Sequence, residues 1–132
     1  MTVERFALAL RGKATPEDDM GEVMLVEGMG LITEGTYAGA VRFQGRVETE
    51  SESSFRETGE LDMAAGKVFF ESDGSGTLVP SPVDGLQLGR VCWRIIGGTG
   101  AFDGASGQMV SNFTVSEEAV VEDSIAAVIF LA

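Results

Sequence analysis

A chain of 132 residues with a formal net charge of -12 and an isoelectric point near 4.2 reads as one domain, residues 1–132. It is large enough to bury a core without disulfide or metal staples, and its acidity argues against nucleic acid or an anionic membrane surface as a partner. Cys92 is the sole cysteine and histidine is absent, which excludes an internal disulfide, histidine-based triads and most zinc, iron and copper sites.

The start, MTVERFALAL, has charged residues ahead of a very short apolar run, unlike a secretory signal, and no apolar stretch approaches the roughly 18 residues of a membrane span. A cytoplasmic protein without membrane contact is the expectation. Short alternating segments divided by glycine, proline or acidic punctuation, with no helical period, predict an all-β chain. Strands are expected at residues 2–10, 20–32, 36–49, 54–63, 67–76, 87–96, 107–116 and 121–131. Turn chemistry falls between them: residues 12–19 around Pro16, Glu34-Gly35, the serine-rich 51–54, Ala65-Gly66, residues 80–85, and the glycine string 97–107. Eight strands with mostly short connections suit an up-and-down antiparallel sheet. Closing that sheet into a barrel removes exposed edges and leaves an interior for side chains or one small ligand.

Residues i and i+2 of a strand share a face. On the third strand Tyr37, Gly39, Val41, Phe43, Gly45 and Val47 form the inward set, against Arg42, Gln44, Arg46 and Glu48 outside. The acidic run ETESESS that follows, with Glu48, Glu50 and Glu52, reads as a solvated hairpin end. On the fourth strand Phe55, Glu57, Gly59, Leu61 and Met63 share a face, which places the Glu57 carboxyl among apolar neighbours. Buried without a cation, its pKa rises and it becomes a candidate acid or base near neutral pH. A local twist at Gly59 or an arginine partner would instead leave it structural. On the sixth strand Val91, Trp93 and Ile95 point inward and Arg90 and Arg94 outward. Cys92 reads as a packed thiol, since no histidine is present to activate it. On the seventh strand Met109, Ser111, Phe113 and Val115 make the inner set.

The string 97–107, GGTGAFDGASG, has five glycines around Phe102. A phosphate loop needs a Lys-Ser/Thr ending, and a dinucleotide fingerprint needs a helix to follow; here the strand-like QMVSNFTVS follows. The string is therefore a tight strand connection with bulges at its edges and Phe102 plugging the space beneath it.

This string, preceded by RVCWRII and followed by QMVSNFTV, resembles the strand-turn-strand of allene oxide cyclase-like barrels and is similar to dirigent proteins and to small bacterial relatives of unassigned function. The resemblance spans about a fifth of the chain. It implies a closed eight-stranded antiparallel barrel of calycin type, often a homo-oligomer such as a dimer or trimer, whose cavity folds an apolar small molecule without metal or organic cofactor. The polar pocket residues of the plant cyclases have no counterpart in the first strands here, so the resemblance carries the fold and not the reaction.

The expected function is a small-molecule-binding barrel, acting as a cofactor-independent cyclase or isomerase on an apolar metabolite. The alternatives are a lipocalin-like carrier and an interaction barrel with a filled core, so enzymatic activity stays open. Glu57 and Tyr37 are the candidate catalytic groups. Trp93, Phe43, Phe55 and Ser111 are the candidate ligand-contacting residues, with no cofactor and no metal.

Overall fold

The computed structural model describes all residues from Met1 to Ala132. Nine strand segments form: β1 (Thr2–Pro16), β2 (Val23–Glu34), β3 (Gly39–Thr49), β4 (Ser54–Met63), β5 (Gly66–Ser72), β6 (Gly76–Pro80), β7 (Leu86–Gly98), β8 (Ser106–Ser116) and β9 (Val120–Leu131). The single helical turn is Gly100–Phe102. Every pairing is antiparallel, and the order β3-β2-β1-β9-β8-β7-β5-β4 is closed by pairing of β4 with β3. Both β5 and β6 lie between β4 and β7, so the two share one position and the barrel has eight strands around its girth.

Several boundaries differ from the sequence expectation, β2 for example beginning at Val23 rather than residue 20, and three of the differences shape the barrel. First, β1 continues past Leu10 to Pro16. Its second half is paired on both sides, with Met24–Met29 of β2 and with residues 120–122 of β9. Two ladders outweigh the turn preference of Gly12 and Pro16, and Pro16 occupies the last position, where a missing N–H is tolerated.

Second, β3 begins at Gly39 rather than residue 36. Gly39 is exposed with φ +113°, a backbone that favours glycine, so Tyr37 belongs to the β2–β3 connection and Gly39 does not point inward. Third, the expected fifth strand, residues 67–76, stops at Ser72, and a further segment, β6, forms at Gly76–Pro80, where the sequence suggested no strand. Between Ser72, opposite Trp93, and Thr77, opposite Arg90, four residues face only two on β7, and residues 73–75 bulge out of the wall.

Elsewhere the period-two pattern places side chains as anticipated. Val41, Phe43, Phe55, Leu61, Met63, Val91, Trp93, Ile95, Met109 and Ser111 are buried, while Arg42, Arg46, Arg90 and Arg94 are exposed on the outer surface. Cys92 is half-buried on that outer face, opposite Val110. A register shift between Phe69 and Phe70 leaves Ile96 as the extra residue of β7 beside the glycine string, the bulge expected there.

The strand connections gather at two ends. One end carries the β2–β3, β4–β5 and β7–β8 connections and is filled. Phe102 is completely buried and meets the edge of Tyr37 at 4.9 Å between ring centres. Across the middle, Trp93 packs on Phe70 at 4.3 Å and on Phe43 at 5.8 Å. The other end carries the β1–β2, β3–β4, β6–β7 and β8–β9 connections, and there the interior is not filled.

Candidate functional site

A cavity of about 300 Å³ occupies this second end, lined by fifteen residues of which eleven are hydrophobic. Such a volume lies at the small end of ligand pockets, and a mostly apolar wall with a few polar groups is their usual composition. Larger hollows are open surface on the outside of the barrel: one of about 760 Å³ is lined mainly by β1, β2, β8 and β9, and one of about 560 Å³, wholly polar, gathers Arg46, Arg56 and Arg94 on the outer side of Glu57, where each arginine pairs with an exposed carboxylate, Arg46 with Glu17 and Glu48, Arg56 with Glu50, and Arg94 with Glu71 and Asp73.

The space exists because two large rings lie along the wall instead of across it. Phe55 covers Gly76 and Phe113 covers Gly89, each on the neighbouring strand, and a Cβ at either glycine would collide with the ring. Aromatic side chains laid over cross-strand glycines are a recognised packing device in sheets. The two rings also meet edge to face, with centres 6.0 Å apart. Val26, Val47, Leu78, Val115 and Val121 complete the apolar lining.

Two carboxyl groups interrupt it: Glu57 from β4, 6 % exposed, and Asp123 from β9, 8 % exposed. The main chain of Glu57 is fixed by a substitution in the hydrogen-bond ladder. β5 pairs with β4 only as far as Thr58–Glu71, so the peptide groups of Glu57 lose their strand partner. The Ser72 hydroxyl takes that place, accepting from Glu57 N at 2.7 Å and donating to Glu57 O at 3.1 Å. Buried peptide groups are thereby satisfied where the wall bulges away. The Glu57 side chain lies over Gly45, where any Cβ would collide with Oε2.

The Glu57 carboxyl itself accepts no hydrogen bond of normal geometry. The indole N–H of Trp93 acts on it, but that N–H is buried and also lacks a well-formed partner. Burial lifts the Glu57 pKa from 4.5 to about 8; the negative charge of Asp123 adds to the rise, and the Trp93 N–H opposes it. Asp123 is better supported, with Ser111 Oγ donating to Oδ1 at 2.7 Å. Burial still raises it from 3.8 to about 7, against the pull of Ser111. Near neutral pH this gives a protonated glutamic acid on one wall and a half-ionised aspartate on another, an arrangement able to donate and accept a proton. No third acidic or sulfur ligand joins them into a metal cage.

Of the residues singled out from sequence, Glu57, Phe43 and Phe55 meet in this cavity. Ser111 is fully buried behind it and reaches it through Asp123. Trp93 forms the packed layer below, touching Phe43 and Phe70. Tyr37 lies at the opposite, filled end against Phe102, so its phenol and the Glu57 carboxyl do not address one ligand. Asp123 was not among the candidates, although β9 carries the signal that exposed Glu57: Val121, Asp123, Ile125, Ala127, Ile129 and Leu131 share one face, and a single carboxyl stands among apolar residues.

No protein-family model matches the chain, and no curated protein matches it in sequence. Among solved structures, a pterocarpan synthase dirigent protein superposes with a TM-score of 0.63 at 13% identity, over 100% of this chain and 87% of that one. The chain therefore has the closed eight-stranded barrel fold of dirigent proteins, as the glycine string suggested.

Proposed function

We propose that this barrel binds an apolar small molecule in the cavity beside Glu57 and Asp123 and moves a proton on it, as a cofactor-independent isomerase or cyclase. The observation that carries this reading is a pair of buried carboxyls lining an otherwise apolar cavity of about 300 Å³. Carboxylates buried without a cationic partner are costly, so such groups point to a role outside folding. Glu57, protonated at neutral pH, donates to an electronegative atom of the ligand while Asp123 accepts a proton elsewhere on it. Phe43, Phe55 and Phe113 hold the apolar body and restrict its conformation. The dirigent-like fold is consistent with a binding or stereocontrol role.

Native mass spectrometry against a panel of apolar metabolites tests this reading, with Val47→Phe as a variant that fills the cavity. The expected result is a ligand bound by the wild type and lost from Val47→Phe, turned over by the wild type and not by Glu57→Gln. Equal binding by Val47→Phe overturns the cavity assignment. Turnover that survives Glu57→Gln removes its acid-base role, and binding without turnover makes the barrel a carrier.

A further inference from the structure

The charges around the cavity are arranged by sign. All nine lysines and arginines lie outside the barrel interior; eight are exposed, and Lys67 is half-buried against Glu60. None lines the cavity, whose only titratable side chains are Glu57 and Asp123; β1, β2, β3, β6, β7 and β8 contribute none. The connections at the cavity end, residues 17–22, 50–53, 81–85 and 117–119, contain no lysine or arginine; Glu17 and Glu50 there are paired with Arg46 and Arg56 of the adjoining strands, while Asp18, Asp19, Glu22, Glu52, Glu117 and Glu118 are in no ion pair. At the filled end, residues 35–38, 64–65 and 99–105 contain one charged side chain, Asp103. The acidic collar thus surrounds the entrance, where a field of one sign concentrates ions of the other.

Inside, the Glu57 carboxyl is nine-tenths buried, faces the cavity and lacks a regular hydrogen-bond partner. The aromatic rings of Phe43, Phe55 and Phe113 stand in the same wall, and ring faces attract cations. An apolar space containing unneutralised carboxyls, bounded by aromatic faces and entered through an acidic collar, is complementary to one kind of ligand. We propose that the ligand is a lipophilic monocation, an ammonium group on an apolar body, with its charge between Glu57 and Asp123. This rests on the cavity reading above and deepens it; with the cation bound Glu57 is ionised, so towards such a ligand it is a proton acceptor rather than the donor.

The test compares three probes of one shape by isothermal titration calorimetry: 4-phenylbutylammonium, 4-phenylbutanol and 4-phenylbutyrate. At about pH 8 the ammonium is expected to bind roughly tenfold or more tightly than the alcohol, with the carboxylate weakest. Because a bound cation favours the ionised carboxyls, binding releases protons, read as a dependence of the heat on buffer ionisation. Ammonium affinity then falls as pH is lowered to about 6, while the alcohol is unaffected. In the isosteric double variant Glu57→Gln/Asp123→Asn the ammonium drops to the level of the alcohol, whose unchanged binding reports an intact cavity. Alcohol binding as tight as ammonium in the wild type overturns the cation inference and leaves the small-molecule reading standing. An ammonium preference that persists in the double variant also overturns it. Failure of all three probes to bind removes both.

Discussion

Replacing Glu57 by glutamine changes how stability depends on pH, and the sign follows from the direction of the pKa change. The folded chain keeps the Glu57 proton up to about pH 8, whereas the unfolded chain releases it near 4.5. Between those values the folded state binds more protons, so stability falls as pH rises, levels off above about 8, and is unaffected below 4.5. From pH 5.5 to 8.5 the window crossed is roughly 2.5 pH units, which at about 1.36 kcal/mol each gives on the order of 3 kcal/mol lost by the wild type through this group. Glutamine keeps the shape without the charge. Its stability relative to wild type should therefore grow by about 3 kcal/mol over that range, or on the order of 10 °C in Tm for a chain of this size. Thermal unfolding followed by the fluorescence of Trp93, the single tryptophan, reports this directly. Exposed Glu52→Gln serves as the control for general charge repulsion. Parallel Tm-against-pH curves for wild type and Glu57→Gln would show that Glu57 ionises normally, and the buried-acid argument would fail.

Two further substitutions probe the scaffold. Gly59→Ala drives a Cβ into the backbone carbonyl of Gln44 and onto the Phe70 ring, neither of which can move aside cheaply; a loss of about 1–3 kcal/mol is expected from such overpacking, measured by urea denaturation, and a neutral result would mean that β3 and β4 do not approach this closely at Gly59. Phe102→Ala empties the plug of the filled end, where Phe102 is fully buried; the expected cost is about 3–5 kcal/mol, and a loss below about 1 kcal/mol in the same assay would remove the plug from the core.

The glycine string illustrates how far local signals reach. Its composition requires a tight connection whatever surrounds it, and the connection forms with Phe102 beneath it and a bulge beside it. The Glu57 anomaly was equally legible, because alternation along a strand assigns faces with no knowledge of neighbours. Asp123 could be read from β9 in the same way. Tyr37 packs against the core, as its inward face implied, but at the filled end and from outside a strand. Alternation along one strand says nothing of where that strand starts, here Gly39, or which end of the barrel a residue reaches.

By itself, then, the sequence determined the antiparallel all-β class, most turn positions and the inner face of most strands, since these depend on residues within a few positions of one another. Tertiary structure alone decided how long β1 runs, how β5 and β6 share a position, and which layer of the barrel stays empty. Each of these depends on pairing or volume summed over strands distant in the chain. Phe55 lies flat only because Gly76 stands opposite, and Phe113 only because of Gly89. Glu57 meets Asp123 in one cavity only when β4 and β9 are brought around the same closed wall.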